Sequence, residues 1–155
     1  MNDTNSFYQL KILHLALVIG VVLFGGVCLV IKLVFSISFP ELLPHNSIYI
    51  TILILIVLIA GSDFLFKNRI SNIERGMPVK EKLAAYRLAS LIRFMLIETA
   101  AIISGVGYLL TGVVLRYFVL MIIATGYFIY VKPTKEKVID ELNLSYSDQQ
   151  KLKVT

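Results

Sequence analysis

The stretch RFMLIETAAIISG, Arg93–Gly105, sets an arginine and a glutamate inside a run otherwise suited to lipid. A charged side chain near the bilayer centre costs roughly 2.5–3.5 kcal/mol on insertion scales. Such residues are retained where they pair, carry protons or meet a partner. Asp63 and His14 lie in other apolar runs, and Thr125 adds a hydroxyl to a third. The chemistry open to this set is ion pairing, proton transfer by a carboxyl, or hydrogen bonding between helices. No HExxH pair, phosphate-cradling glycine loop or cysteine pair appears in the sequence. Cys28 is the single cysteine, which leaves no intramolecular disulfide and no thiolate metal cage. No catalytic group, metal site or cofactor is expected.

Helix geometry sorts the charges. Side chains lean toward the N-terminus of their helix. Arg93, in a span entering from the cytoplasm, therefore leans back toward that interface. Asp63, near the end of a span arriving from the other side, leans into the membrane and needs a partner. A hairpin turning near Gly76-Met77 sets Asp63 level with Ser90, within reach of Arg93, so the two are expected to pair. His14, near the same rim, is expected to join them. Arg116 leans outward and anchors the opposite interface.

Glu98 stands apart. Five residues rotate a helix by about 500°, so Glu98 points about 140° away from Arg93. It also lies nearer the middle of the bilayer, where a carboxyl is most cheaply carried neutral. A tight turn at Thr111-Gly112 faces Glu98 toward Thr125, an expected hydrogen-bond partner. Two lines of small residues accompany it, Ala101 and Gly105 on its own face, and Ala100, Ser104 and Gly107 beside that. Small residues at this spacing let lipid-embedded helices approach closely. Three readings of Glu98 stand open: a neutral group in a tight helix contact, a proton or ion site, or a contact with a partner subunit.

The elements that must position these residues are membrane helices. Of 155 residues, 57% are hydrophobic and 16% charged, against about 45–50% and 25% in soluble domains. The mean hydropathy is +0.81. A domain this small buries only about 70% of its unfolded surface, so water alone cannot accommodate the excess. Four spans of about 20 apolar residues are expected at 12–31, 47–66, 88–110 and 113–131. The fold class is thus all-α: a polytopic antiparallel bundle of four transmembrane helices in one domain, with a cytoplasmic tail over 132–155. The first apolar run is too long for a signal-peptide core and is expected to remain.

The net charge of +5 does not indicate nucleic acid, because the basic residues flank the spans. Twelve Lys and Arg fall on one side, in the N-terminal flank, the central loop and the tail, against Lys32 and Arg116 on the other. Both termini are therefore expected in the cytoplasm. His45, in the outer loop, is then separated from His14 by the membrane, so the two cannot share a haem or metal. Gly76 is expected to end the second helix in a left-handed conformation, with that helix reaching Arg75 and Pro78 opening the third. In the tail, Thr134 is suited to cap a short helix with Val138, Ile139 and Leu142 on one face, lying on the lipid surface, covering the bundle's end or docking a partner. Ser147 and Gln150 have capping-box spacing for a further turn.

Two stretches carry resemblances. YRLASLIRFMLIETAAIISGVGYLLTG with KPTKEKVIDELNLS resembles a family of uncharacterised four-helix membrane proteins of Bacteroidota-type bacteria. That implies the fold and a bacterial inner-membrane location but no activity. LIETAAIISGVGYLL is similar to the carboxylate helix of the ATP synthase c subunit, which implies a proton-carrying role for Glu98 alone. The c subunit is a two-helix hairpin, however, and four spans are read here. The expected function is a small non-catalytic structural or accessory protein of the lipid bilayer, a homo-oligomer through its third helix or a subunit of a membrane complex. The alternative is an oligomeric proton-linked transporter or channel using Glu98.

Overall fold

A computed structural model describes residues 3–34, 44, 46–74, 76–111 and 114–144. The elements are α1 (Asp3–Leu33), α2 (Ser47–Ser71), α3 (Val79–Leu110), α4 (Val114–Tyr130) and α5 (Lys135–Glu141). All regular structure among the described residues is helical. Three stretches, Phe7–Leu33, Ser47–Ser71 and Val79–Leu110, are long and apolar enough to cross a membrane. A fourth is counted when α4 and α5, bent by 76° at their junction, are taken together.

The surface has the composition lipid requires. Leu15 on α1, Ile50 on α2, Met95 on α3 and Leu115 on α4 are 58%, 62%, 63% and 74% exposed. Exposed large apolar side chains recur on every long helix, whereas soluble monomers seldom expose apolar patches beyond a few hundred Å². Helices suit that environment because each backbone N–H and C=O is satisfied within its own segment.

Helix α3 is the centre of the packing and touches α1, α2 and α4. Its small residues make this possible. A Cβ at Gly105 would lie 2.5 Å from Cε1 of Phe24 on α1, and one at Gly107 would overlap the Tyr117 ring of α4. Ala100, Ala101 and Ser104 are buried beside them. The two lines of small residues thus meet α1 and α4 within the chain.

Paired contacts run in opposite directions along sequential helices. Asp63 meets Arg93 and Phe66 meets Tyr86 between α2 and α3. Phe94 meets Phe128 and Gly107 meets Tyr117 between α3 and α4. The Lys32 ammonium of α1 donates to the carbonyls of Leu109 and Thr111, at 3.3 and 3.4 Å. Carbonyls at a helix C-terminus lack intrahelical partners and carry the negative end of the dipole, so a cation from a neighbour suits both needs.

Two boundaries differ from the sequence reading. Helix α2 ends at Ser71 with Asn72 as C-cap, short of Arg75, and none of the glycines adopts a positive φ among the described residues. Gly76 is therefore no left-handed cap. Asn72 closes the helix at a negative φ of −84°, its N–H returning to the Ile70 carbonyl, so no left-handed residue is needed. Helix α3 begins at Val79, with Pro78 just before it.

Helix α5 covers one end of the packed helices. The Thr134 hydroxyl accepts from the Lys137 N–H, and Val138 and Leu142 are buried while Ile139 packs against the same core. The Glu136 carboxyl sits below its usual range because it accepts from its own backbone N–H and from the Thr134 side chain. The expected turn at Ser147–Gln150 lies outside the described residues, as do His45, Gly112 and Val113.

Candidate functional site

Among the described residues, three clusters of polar side chains and the carboxyl of Glu98 stand out in the spans. In the first cluster, Arg93 Nη2 donates to Asp63 Oδ1 at 2.6 Å. Tyr127 of α4 donates its hydroxyl to the other carboxylate oxygen, Oδ2. The guanidinium lies 4.8 Å from the centroid of Phe66, in cation–π contact, and approaches the Tyr127 oxygen at 3.4 Å. Asp63 thus accepts from two helices and joins α2, α3 and α4. The pair is only partly enclosed, with side-chain exposures of 16% for Arg93 and 32% for Asp63. Arg93 Nε is buried without a hydrogen-bond partner.

His14 does not join this cluster. Its Nε2 donates to the Phe128 carbonyl at 2.9 Å, and its ring packs edge-on against Phe94 and Phe128. The reason lies in how α4 ends. The Lys132 N–H, which would have closed the next helical turn on Phe128, bonds to Ile129 instead, and Pro133 follows. That frees a buried carbonyl, and the imidazole supplies its donor. Because a carbonyl only accepts, the bond fixes the proton on Nε2.

A third cluster sits near the far end of α2. Ser47 Oγ and Tyr117 Oη are 2.9 Å apart, and Thr51 Oγ1 donates to the Ser47 carbonyl at 3.1 Å while reaching Tyr117 Oη at 3.4 Å. Tyr117 is fully buried, and the Ser–Thr pair gives its hydroxyl a partner in an apolar surround.

Glu98 is the isolated group. Thr125 is not its partner: Thr125 Oγ1 donates to the Met121 carbonyl one turn back on its own helix, at 2.8 Å. That bond is locally available to any helical threonine and needs no second helix. No hydrogen bond or ion pair reaches Glu98 among the described residues. Glu98 is half-buried, at the border between the buried face of α3 and the outward face of Met95 and Ile102. No group of three His, Cys, Asp or Glu capable of holding a metal lies among the described residues.

The sequence reading missed Tyr127 and Tyr117. Tyrosine is at home near membrane interfaces, so neither position stands out by composition. The available signal was weaker: a phenol inside a span needs a partner, and the hairpin register brings Tyr127 close to the level of Arg93. Compared with models of protein families, with curated proteins and with solved structures, the chain matches none.

Proposed function

We propose that this chain is a small integral protein of a bacterial cytoplasmic membrane, crossing it four times as an antiparallel bundle with both termini inside, and that it acts without catalysis as a structural or accessory subunit. The observation that carries this is that the intramembrane polar side chains other than Glu98 bond across helices. Asp63, Arg93 and Tyr127 bond to one another, His14 to a backbone carbonyl, and Tyr117 to Ser47. Each bond joins different helices, which is how polar side chains hold helices together in lipid. The excess of Lys and Arg on the side of the central loop and tail supports the orientation. Within this reading, Glu98 is carried neutral and faces a neighbouring protein in the membrane.

A second reading rests on the same isolated carboxyl. Without a partner among the described residues, Glu98 is open to proton exchange, and in an oligomer it would serve a proton-linked transporter or channel. Replacement distinguishes the two. Glu98→Gln keeps the shape and hydrogen-bonding capacity but removes the titratable proton. Under the accessory reading, Glu98→Gln keeps the oligomeric state and cellular phenotype of the wild type, and Glu98→Ala weakens association. Loss of function in a folded Glu98→Gln protein with unchanged assembly would favour proton carriage.

A further inference from the structure

Where α2 leaves its apolar run, a cavity of about 400 Å³ opens between the end of α2, the start of α3 and the end of α5. Phe66, Ile70 and Leu142 give it apolar walls, and Lys67, Lys82, Glu74 and Glu141 bring both signs of charge to it. Lys82 is 5% exposed, unusual for a lysine, and lies in the wall. Asn143 completes the rim in a left-handed conformation, φ 47°, and Glu141, the last residue of α5, lines the cavity beside it. Glu141 presents one carboxylate oxygen, Oε2, that is buried and has no hydrogen-bond partner. The Tyr86 hydroxyl hydrogen-bonds this carboxylate and also meets Ser90, which leaves Oε2 as the oxygen without a donor.

An unpartnered buried carboxylate oxygen calls for a donor. The space is far larger than the roughly 30 Å³ share of one water. Lys67 is the first charge after the apolar run of α2, so the cavity stands at the level of lipid head groups on that side. The apolar walls of Phe66, Ile70 and Leu142 stand at that level beside the charged groups. At the head-group level the ligand that fits is a lipid with an N–H donor for Glu141 and an anion for Lys67. We propose that this cavity seats the head group of an amine phospholipid of the phosphatidylethanolamine class, its ammonium donating to Glu141 Oε2 and its phosphate facing Lys67. A choline head group has no N–H to donate, and a glycerol head group has no cation, so the site selects between lipids of similar size.

This inference rests on the reading that α2 and α3 cross a bilayer, and alkaline extraction of membranes tests that reading separately. Release of the chain into the soluble fraction would remove both the reading and the inference. For the membrane-retained protein, the test is lipid retention measured by native mass spectrometry from mild detergent, with phosphatidylethanolamine, phosphatidylcholine and phosphatidylglycerol of identical acyl chains. The ethanolamine lipid should be retained best. Glu141→Gln should weaken it about tenfold, the size expected for loss of one charge-assisted hydrogen bond, and should abolish its advantage over the choline lipid. Lys67→Gln, at an exposed position, should weaken the ethanolamine and glycerol lipids alike. Equal retention of ethanolamine and choline lipids by the wild type would overturn the proposal. So would an ethanolamine preference that survives Glu141→Gln. Displacement of the lipid by an equal concentration of soluble phosphorylethanolamine would overturn the lipid as the source of the head group.

Discussion

Replacing Asp63 by alanine removes an acceptor shared by two neighbouring helices. The Arg93 guanidinium loses its 2.6 Å contact, and Tyr127 loses its acceptor. Breaking a fully buried pair costs about 3–5 kcal/mol. Here Asp63 and Arg93 keep 32% and 16% of their side-chain exposure, so screening lowers the expectation to about 2–3 kcal/mol. Arg93→Ala should cost less, about 1–2 kcal/mol, because Asp63 still accepts from Tyr127. Tyr127→Phe should cost about 1–2 kcal/mol, the worth of a hydrogen bond to a charged group. The assay is reversible unfolding in mixed micelles with increasing denaturing detergent, followed by helical circular dichroism. The double variant Asp63→Ala/Arg93→Ala should be less unstable than the sum of the singles by about 1–2 kcal/mol. Additive losses, or a Tyr127→Phe protein as stable as wild type, would refute the shared-acceptor reasoning.

Other expectations follow from the packing and the charge pattern. Gly107→Ala should destabilise by about 1–3 kcal/mol, since its Cβ would overlap the buried Tyr117 ring, whereas Gly126→Ala meets open space and should be tolerated; unfolding midpoints of the two variants compare them directly. On a Cys28→Ala background, a cysteine at Asn46 should react with an impermeant thiol reagent in intact cells and one at Gly76 should not. Labelling at position 76 would reverse the proposed orientation. His14→Leu leaves the Phe128 carbonyl buried without a donor and should cost about 1–3 kcal/mol, while Asp63–Arg93 coupling in the same variant stays unchanged.

The membrane helices were legible because long apolar runs bounded by charges have few alternatives, and α1, α2 and α3 coincide with three of them. The Asp63–Arg93 pairing followed from hairpin register and the direction in which helical side chains lean, both set locally. What escaped depended on rotation about helix axes and on how helices end. Phe94 and Phe128 pack against His14 and hold its imidazole at the carbonyl freed before Pro133, a donor need visible only once α4 has an observed terminus. Glu98 lies level with Thr125 along the axis, but the threonine satisfies itself on its own helix. Gly76 has the residue type of a left-handed cap, yet Asn72 had already ended α2.

In the proposed accessory protein the polar clusters hold helices together and Glu98 moves no protons. The most direct measurement is proton flux into liposomes containing the purified protein, under an imposed membrane potential, for wild type and Glu98→Gln. Flux should be no greater than in empty liposomes for both. A wild-type proton current that Glu98→Gln abolishes in a folded, correctly inserted protein would contradict the accessory reading.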